Sequence, residues 1–255
     1  AILVSQSLDY ETCRDYFLTV EARDGGTPPL SAITTVNVNV TDVNDNAPVF
    51  GCQLYAAVVS EGAATGSSVI QVVAEDADSK PNGAVSYSIT SGNQGNQFSI
   101  DPASGIVRVN KDLDREAIPS YSLAISARDG GIPPLSSTTM VNVDISDVND
   151  NAPVFALEDS TVVIQENKPI GTSILQFSVT DGDSSNNGPP FHFHILSGND
   201  GKEFVLEKDG TLVANQVFRR DLAAQYVLQV QVGPRVTALT PGVQGAPKPQ
   251  KPCLR

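Results

Sequence analysis

Residues 41–50 read TDVNDNAPVF, and residues 146–155 read SDVNDNAPVF, a displacement of 105 positions (146 − 41). Each copy sets two Asp and two Asn within five residues, just ahead of an Ala-Pro-Val-Phe run. The same displacement recovers far more than this motif. ARDGGTPPLS at residues 22–31 recurs as ARDGGIPPLS at 127–136, LDYE at 8–11 recurs as LDRE at 113–116, and Glu61 recurs as Glu166. Asp76 and Asp78 of EDADSKPNG map onto Asp181 and Asp183 of TDGDSSNNG. A constant offset across this many positions marks a duplicated domain, not shared composition.

Within a unit of this size the apolar residues alternate. Val36, Val38 and Val40 are interleaved with Asn37 and Asn39, and Val141, Val143 and Ile145 with Asn142 and Asp144. That period of two puts the apolar set on one face of a strand and the polar set on the other. No stretch carries a helical period over a dozen residues, while turn signals are plentiful: Asp-Gly-Gly followed by Pro-Pro twice, Pro-Asn-Gly at 81–83 and Pro-Ala-Ser-Gly at 102–105. The expected fold is all-β, a tandem series of Greek-key β-sandwich repeats. Residues 1–47 supply the back part of one unit, 48–152 a complete unit, and 153–232 an incomplete third. Pro234 stands where Asp129 stands one unit earlier, and the Pro-, Gly- and Lys-rich residues 233–255 carry no strand signal, so this tail is expected to be disordered.

The chain of 255 residues holds 29 acidic against 16 basic groups, a formal charge of −13, with 40% hydrophobic residues. Its length and apolar content suffice for two or three small cores. The charge argues against nucleic acid and anionic membrane surfaces, which call for a basic patch, and favours a cationic partner. No run approaches the roughly 18 apolar residues of a membrane span, and no charged-then-apolar leader opens the chain. Ala1 is not Met and the first motifs match the back of a unit, so the chain reads as a fragment with room outside it for a leader or an anchor. Cys13, Cys52 and Cys253 lack CxxC spacing, and their odd number leaves at least one thiol unpaired within the chain. Pairing of Cys13 with Cys52 is a matter of geometry that spacing does not decide. Asn39-Val40-Thr41 matches the glycosylation acceptor pattern.

A single acidic residue is ordinarily a solvated surface group, but a cluster needs a reason. Two carboxylates about 4 Å apart repel by roughly 4 kcal/mol at an effective dielectric of 20, so gathering several calls for a compensating cation. Loop Asp, Glu, Asn and carbonyl oxygens are what a hard ion with six to eight oxygen ligands takes, which points to calcium. Magnesium prefers more water, and zinc would want the His or Cys that these clusters lack.

Taken together, LDRE, DVNDNAPVF, DAD with a following Asn-Gly, and ARDGG resemble the signature of the cadherin repeat. Over residues 1–232 the chain is similar to part of a long cadherin of the Fat, Dachsous or protocadherin kind. The resemblance implies three calcium ions at each junction between consecutive repeats. For the first junction it implies ligands from Asp9 and Glu11, from the linker residues Asp42, Asn44 and Asp45 with backbone oxygens of Val43 and Asn46, and from Asp76, Asp78, Asp129 and the carbonyl of Asn82. For the second it implies Glu61, Asp114, Glu116, Asp147, Val148, Asn149, Asp150, Asn151, Asp181, Asp183 and Asn187. A linker that binds ions through both neighbours becomes a stiff joint, with Pro48 and Pro153 adding local rigidity.

Departures from the pattern weaken particular sites. The first junction lacks a counterpart of Glu61, and the second lacks a counterpart of Asp129. Arg219 stands where Asp114 stands and Asp221 replaces the glutamate, so Glu166 is expected to be an orphan and the far end of the third unit to hold no calcium. Asp24 corresponds to a ligand for a junction before Ala1.

Other chemistries are less well supported. His192 and His194 share one face of an expected strand but have no third ligand near them in sequence, so they are expected to face solvent. There is no GxSxG elbow and no GxxxxGK loop, and no enzymatic activity is expected. Two functions remain: calcium-dependent adhesion to cadherin repeats of the same or a related protein on an opposing cell, as part of a cell-surface ectodomain, or a calcium-stiffened spacer, or soluble truncated product, without a binding face. Adhesion by exchange of an N-terminal Trp is not expected, because the chain contains no Trp.

Overall fold

The computed structural model of the chain describes residues 1–233, so Pro234 and the expected disordered tail lie outside the described residues. Apart from one 3-10 turn at Gln94–Asn96, the regular structure is strand. A first pair comprises β1 (Asp15–Arg23) and β2 (Ser31–Asn39). A middle set comprises β3 (Val49–Phe50), β4 (Leu54–Ser60), β5 (Ser68–Gln71), β6 (Ala74–Glu75), β7 (Ser86–Ser91), β8 (Phe98–Ile100), β9 (Ile106–Val109), β10 (Ser120–Arg128) and β11 (Ser136–Ser146). A third set comprises β12 (Val154–Phe155), β13 (Ser173–Gln176), β14 (Val179–Thr180), β15 (His192–Ser197), β16 (Phe204–Leu206), β17 (Thr211–Ala214) and β18 (Gln229–Gly233).

The middle set forms a sandwich. One sheet has the order β4-β11-β10-β7 and faces a second of order β5-β9-β8, with β3-β6 as a short flanking pair. The alternation read from sequence sets the burial: Val141, Val143 and Ile145 point inward while Asn142 and Asp144 are exposed. Their antiparallel partners across β10 include Leu123 opposite Val141 and Tyr121 opposite Val143. Leu123, Ile125, Val72, Val107, Val141 and Val143 are all fully buried, and each such side chain contributes about 1.5–3 kcal/mol. Phe98 meets the edge of Tyr121 at a centroid distance of 5.0 Å and closes one end of the core.

In the first pair, β1 and β2 reproduce the β10-β11 register at the expected displacement, with Tyr16 opposite Val38 and Leu18 opposite Val36. Asn39 is exposed at the end of β2. Cys13 carries a free thiol, so it is not paired with Cys52.

The third set departs from the repeat at the counterpart of β4, and β18 covers only the second half of residues 225–233, the counterpart of β10. Its smaller core is built on Phe204, Leu212, Ala214 and Phe218, and His192 and His194 are exposed on β15. Residues 159–165, which correspond in sequence to β4, form no strand. In the middle set β4 exists by docking parallel onto β11, Tyr55 against Val141 and Val59 against Ile145. The counterpart of β11 would fall beyond residue 233, so no ladder partner for 159–165 lies among the described residues.

The Ala-Pro-Val-Phe half of the linker motif is what fastens each linker to the sandwich after it. Pro48 is fully buried, and Val49 and Phe50 pair with Glu75 and Ala74. Val154 and Phe155 pair in the same way with Thr180 and Val179. This pairing holds the loops that begin at Asp76 and at Asp181 directly against the polar half of the motif.

Candidate metal centres

Three groups of carboxylates have ligand oxygens mutually within 4.8 Å: Glu11 with Asp45 and Asp78, Glu116 with Asp150 and Asp183, and Glu61 with Asp114 and Glu116. The first two are the same constellation one repeat apart. Each takes one residue from the sandwich before the linker, one from the linker and one from the sandwich after it. Among the described residues the Glu61 group has no counterpart, since the position 105 residues before Glu61 precedes Ala1.

Hydrogen bonds draw each constellation together. The Asn46 side chain donates to Asp45 Oδ1 at 2.8 Å and Asp78 Oδ1 at 2.7 Å, and its backbone N–H donates to Asp78 Oδ2 at 3.3 Å. Asn151 repeats this, donating to Asp150 Oδ1 at 2.8 Å and, through side chain and backbone, to Asp183 Oδ1. Asn82 Nδ2 donates to Asp42 Oδ2 at 2.8 Å and Asn187 Nδ2 to Asp147 Oδ2 at 2.7 Å, while the Asn82 carbonyl accepts from Gly130 N at 3.3 Å. The carbonyls of Val43 and Val148 each accept the N–H two residues on, curling the linker into a tight turn. Glu61 is buried and braces the second linker, accepting from the backbone of Arg115 at 2.8 Å and of Val148 at 2.6 Å.

Other expected residues stand apart from the three groups. Asp9 caps its own turn by accepting from Glu11 N, Thr12 N and Thr12 Oγ1. Asp129 is buried and accepts from Gly131 N and Leu135 N, as Asp24 does from Gly26 N and Leu30 N. Asn44 crosses to the middle sandwich and donates to Pro133 O at 2.8 Å, whereas Asn149 is exposed and the counterpart of Pro133 lies beyond residue 233. At the far end, Arg219 Nη2 pairs with Asp221 at 2.9 Å and Glu166 accepts from Arg220 N.

The chemistry of the oxygens fits a cation. Of eight buried side-chain N or O atoms without a hydrogen-bond partner among the described residues, six are ligand candidates: Glu11 Oε1, Asp42 Oδ1, Asn44 Oδ1, Asp76 Oδ2, Asp181 Oδ2 and Asp183 Oδ2. Buried polar atoms are ordinarily paired, so a concentration of unpaired acceptors at two loops describes a place for a positive ion. Burial and neighbouring carboxylates push the pKa of Glu11, Asp76, Glu116 and Asp150 upward, as expected of anions crowded together. Burial also works to raise Asp147, but hydrogen bonds from Ser184, Arg115 and Asn187 outweigh it and hold that carboxyl below its ordinary value.

Two functional residues escaped the reading of the acidic motifs. One is Gly131, the second glycine of ARDGG, where a Cβ would lie 2.1 Å from the Asn44 carboxamide carbon. Gly131→Ala is therefore expected to expel Asn44 and open the first linker to protease several-fold while the melting of the middle core stays unchanged; protease mapping of residues 41–50 checks this. The other is Arg115, whose guanidinium sits among the acids of the second junction. Its only sequence signal is the exchange of Tyr10 for Arg115 between otherwise matching motifs.

The model of the Cadherin domain family matches residues 1–41, 55–146 and 160–245. Human Protocadherin Fat 1 is 52% identical over 94% of this chain, and the Fat-like cadherin-related tumor suppressor homolog of Drosophila melanogaster 44% over 91%. The chain spans 5% of the length of each of these relatives. Among solved structures, mouse Cadherin-23 EC22-24 superposes with a TM-score of 0.79 at 29% identity, covering 89% of this chain and 71% of that one. Mouse Protocadherin-24 EC1-3 gives 0.77 at 26%, covering 91% and 77%. Matching motifs, sandwich and acidic junctions lead to one conclusion: the chain belongs to the cadherin family, as a tandem run of its β-sandwich repeats and not as an enzyme.

Proposed function

We propose that residues 1–47, 48–152 and 153–232 are consecutive repeats of an adhesion ectodomain, that calcium fills the two junctions, and that the stiffened array pairs with cadherin repeats of the same or a related protein on an opposing cell. The observation that carries this reading is the set of six buried, unpartnered oxygens at the two linkers. The calcium would be held by Glu11, Asp42, Asp45, Asp76 and Asp78 at the first junction and by Glu61, Asp114, Glu116, Asp147, Asp150, Asp181 and Asp183 at the second. When bound it supplies the positive charge that lets carboxylates from both sides of a linker coexist. The chain's own part is to orient the two sandwiches: Asn46 and Asn151 lock linker to loop, and Asn82 and Asn187 hold the first linker aspartate. An extracellular setting accords with this reading, and no helix among the described residues is long and apolar enough to cross a membrane.

The test is a calorimetric calcium titration of the full chain after chelator treatment, followed by aggregation of beads coated with it. Several ions bound at micromolar to millimolar affinity are expected, together with clumping that calcium permits and chelator reverses. Binding without clumping would support a calcium-stiffened spacer in place of adhesion, and absence of binding would overturn the reading.

A further inference from the structure

The two junctions are built from one pattern, yet they do not offer a cation the same oxygens. At the first, Glu11 Oε1 and Asp42 Oδ1 are buried and unpartnered. At the second, the equivalent atoms are Glu116 Oε1 and Asp147 Oδ1, and Arg115 engages both: Nη2 bonds Glu116 Oε1, and Nε donates at 2.5 Å to Asp147 Oδ1, which also accepts from Ser184 N at 3.2 Å. The same Nη2 reaches into the third sandwich and donates to the Gly182 carbonyl at 3.1 Å. The acceptor further along the loop is unaffected, with Asp76 Oδ2 and Asp181 Oδ2 unpartnered alike. The position equivalent to Arg115 in the first unit is Tyr10, whose ring lies under the Arg14 guanidinium at 4.8 Å, turned to a different task.

We infer that Arg115 is a built-in cation of the second junction, which ties the middle sandwich, the linker and the third sandwich together and competes with calcium for Glu116 and Asp147. A planar guanidinium is suited to this, since its fork of donors can engage two carboxylates and a carbonyl at once. Its side chain is about one-fifth exposed and Asp147 is less so, which shields the pair from the screening that makes surface ion pairs weak. The two joints therefore differ in their dependence on calcium. At the first, Asn44, Asn46 and Asn82 tie the linker only to the sandwich after it, and joining the sandwich before it falls to the ion, whereas the second keeps a residual clamp across all three parts at low calcium and needs more calcium to saturate. The competition rests on the calcium reading given above, but the clamp does not.

The experiment is limited proteolysis of the full chain over a calcium series that starts in chelator, with cuts mapped separately to residues 41–50 and 146–155. In wild-type protein the second linker is expected to be cut roughly tenfold more slowly than the first in chelator, the size of effect a charge-assisted bond commands. Arg115→Tyr should erase that advantage and lower the calcium concentration that half-protects the second linker. Tyr10→Arg should transfer both properties to the first linker, and Arg115→Lys should retain part of the clamp. Equal cutting of the second linker in wild-type and Arg115→Tyr protein in chelator would overturn the clamp. Failure of calcium to protect either wild-type linker would instead overturn the calcium reading, leaving the chelator comparison to judge Arg115.

Discussion

Removing calcium from the intact chain is expected to lower its melting temperature by about 10 °C or more, and restoring calcium is expected to bring it back. A site filled at a hundredfold excess over its Kd stabilises the folded form by about 2.7 kcal/mol, and 1 kcal/mol shifts the melting of a domain of this size by about 4–8 °C. The middle sandwich should show the largest shift, because it contributes Asp76 and Asp78 to one junction and Glu61, Asp114 and Glu116 to the other. The pH dependence has opposite signs in the two conditions. A carboxyl whose pKa is raised in the fold favours its protonated form there, so in chelator Asp76 and Glu116 contribute stability below their ordinary pKa and lose it as the pH climbs through the raised values. Bound calcium demands the charged form. Acidifying from pH 7 toward 5 should therefore narrow the gap between the calcium and chelator melting curves. Scanning calorimetry at several pH values checks this, and coincident curves at pH 7 would remove calcium from the account of stability. Magnesium at the same concentration should protect less, because it gives up its water reluctantly.

The duplicated sandwich was legible in sequence because its determinants are local. Alternation in SSTTMVNVDIS is enough to orient Val141, Val143 and Ile145, and the repeated ARDGG segments and the Asp-Ala-Asp and Asp-Gly-Asp pair mark turns wherever they fall. The acidic groups were legible as a pattern that recurs, and Glu11, Asp45 and Asp78 do converge although Asp78 lies far along the chain from Glu11. What stayed hidden depends on partners distant in sequence. Nothing near Asn44 announces that it reaches Pro133, 89 positions away, or that Gly131 must lack a Cβ to admit it. Arg115 reads as a routine surface residue until Asp147 and Gly182 are brought beside it. Residues 159–165 are a like case: strand propensity is local, but a ladder requires a second chain segment, and the counterpart of β11 lies outside the described residues.

Asp150→Ala is expected to weaken calcium binding at the second junction by at least tenfold while leaving the first nearly intact. Asp150 belongs to the group with Glu116 and Asp183, and it also accepts from Asn151 Nδ2 at 2.8 Å. Loss of outer-shell partners alone costs metal sites about 10–100-fold, so removing a direct ligand should cost no less. The same substitution should do little harm in chelator. Burial together with the charges of Glu61, Asp183 and Asp114 raises the pKa of this carboxyl, so deleting it relieves repulsion where no ion is bound. The variant should thus bind fewer ions than wild type yet melt no earlier than wild type in chelator, a pairing that a general folding defect cannot produce. Asp45→Ala serves as the mirror experiment, since Asp45 holds the equivalent place beside Glu11 and Asp78. Calorimetry on both variants decides the matter: separate losses, one junction each, follow if each linker aspartate serves its own joint, whereas equal loss at both junctions from either substitution would refute the local assignment.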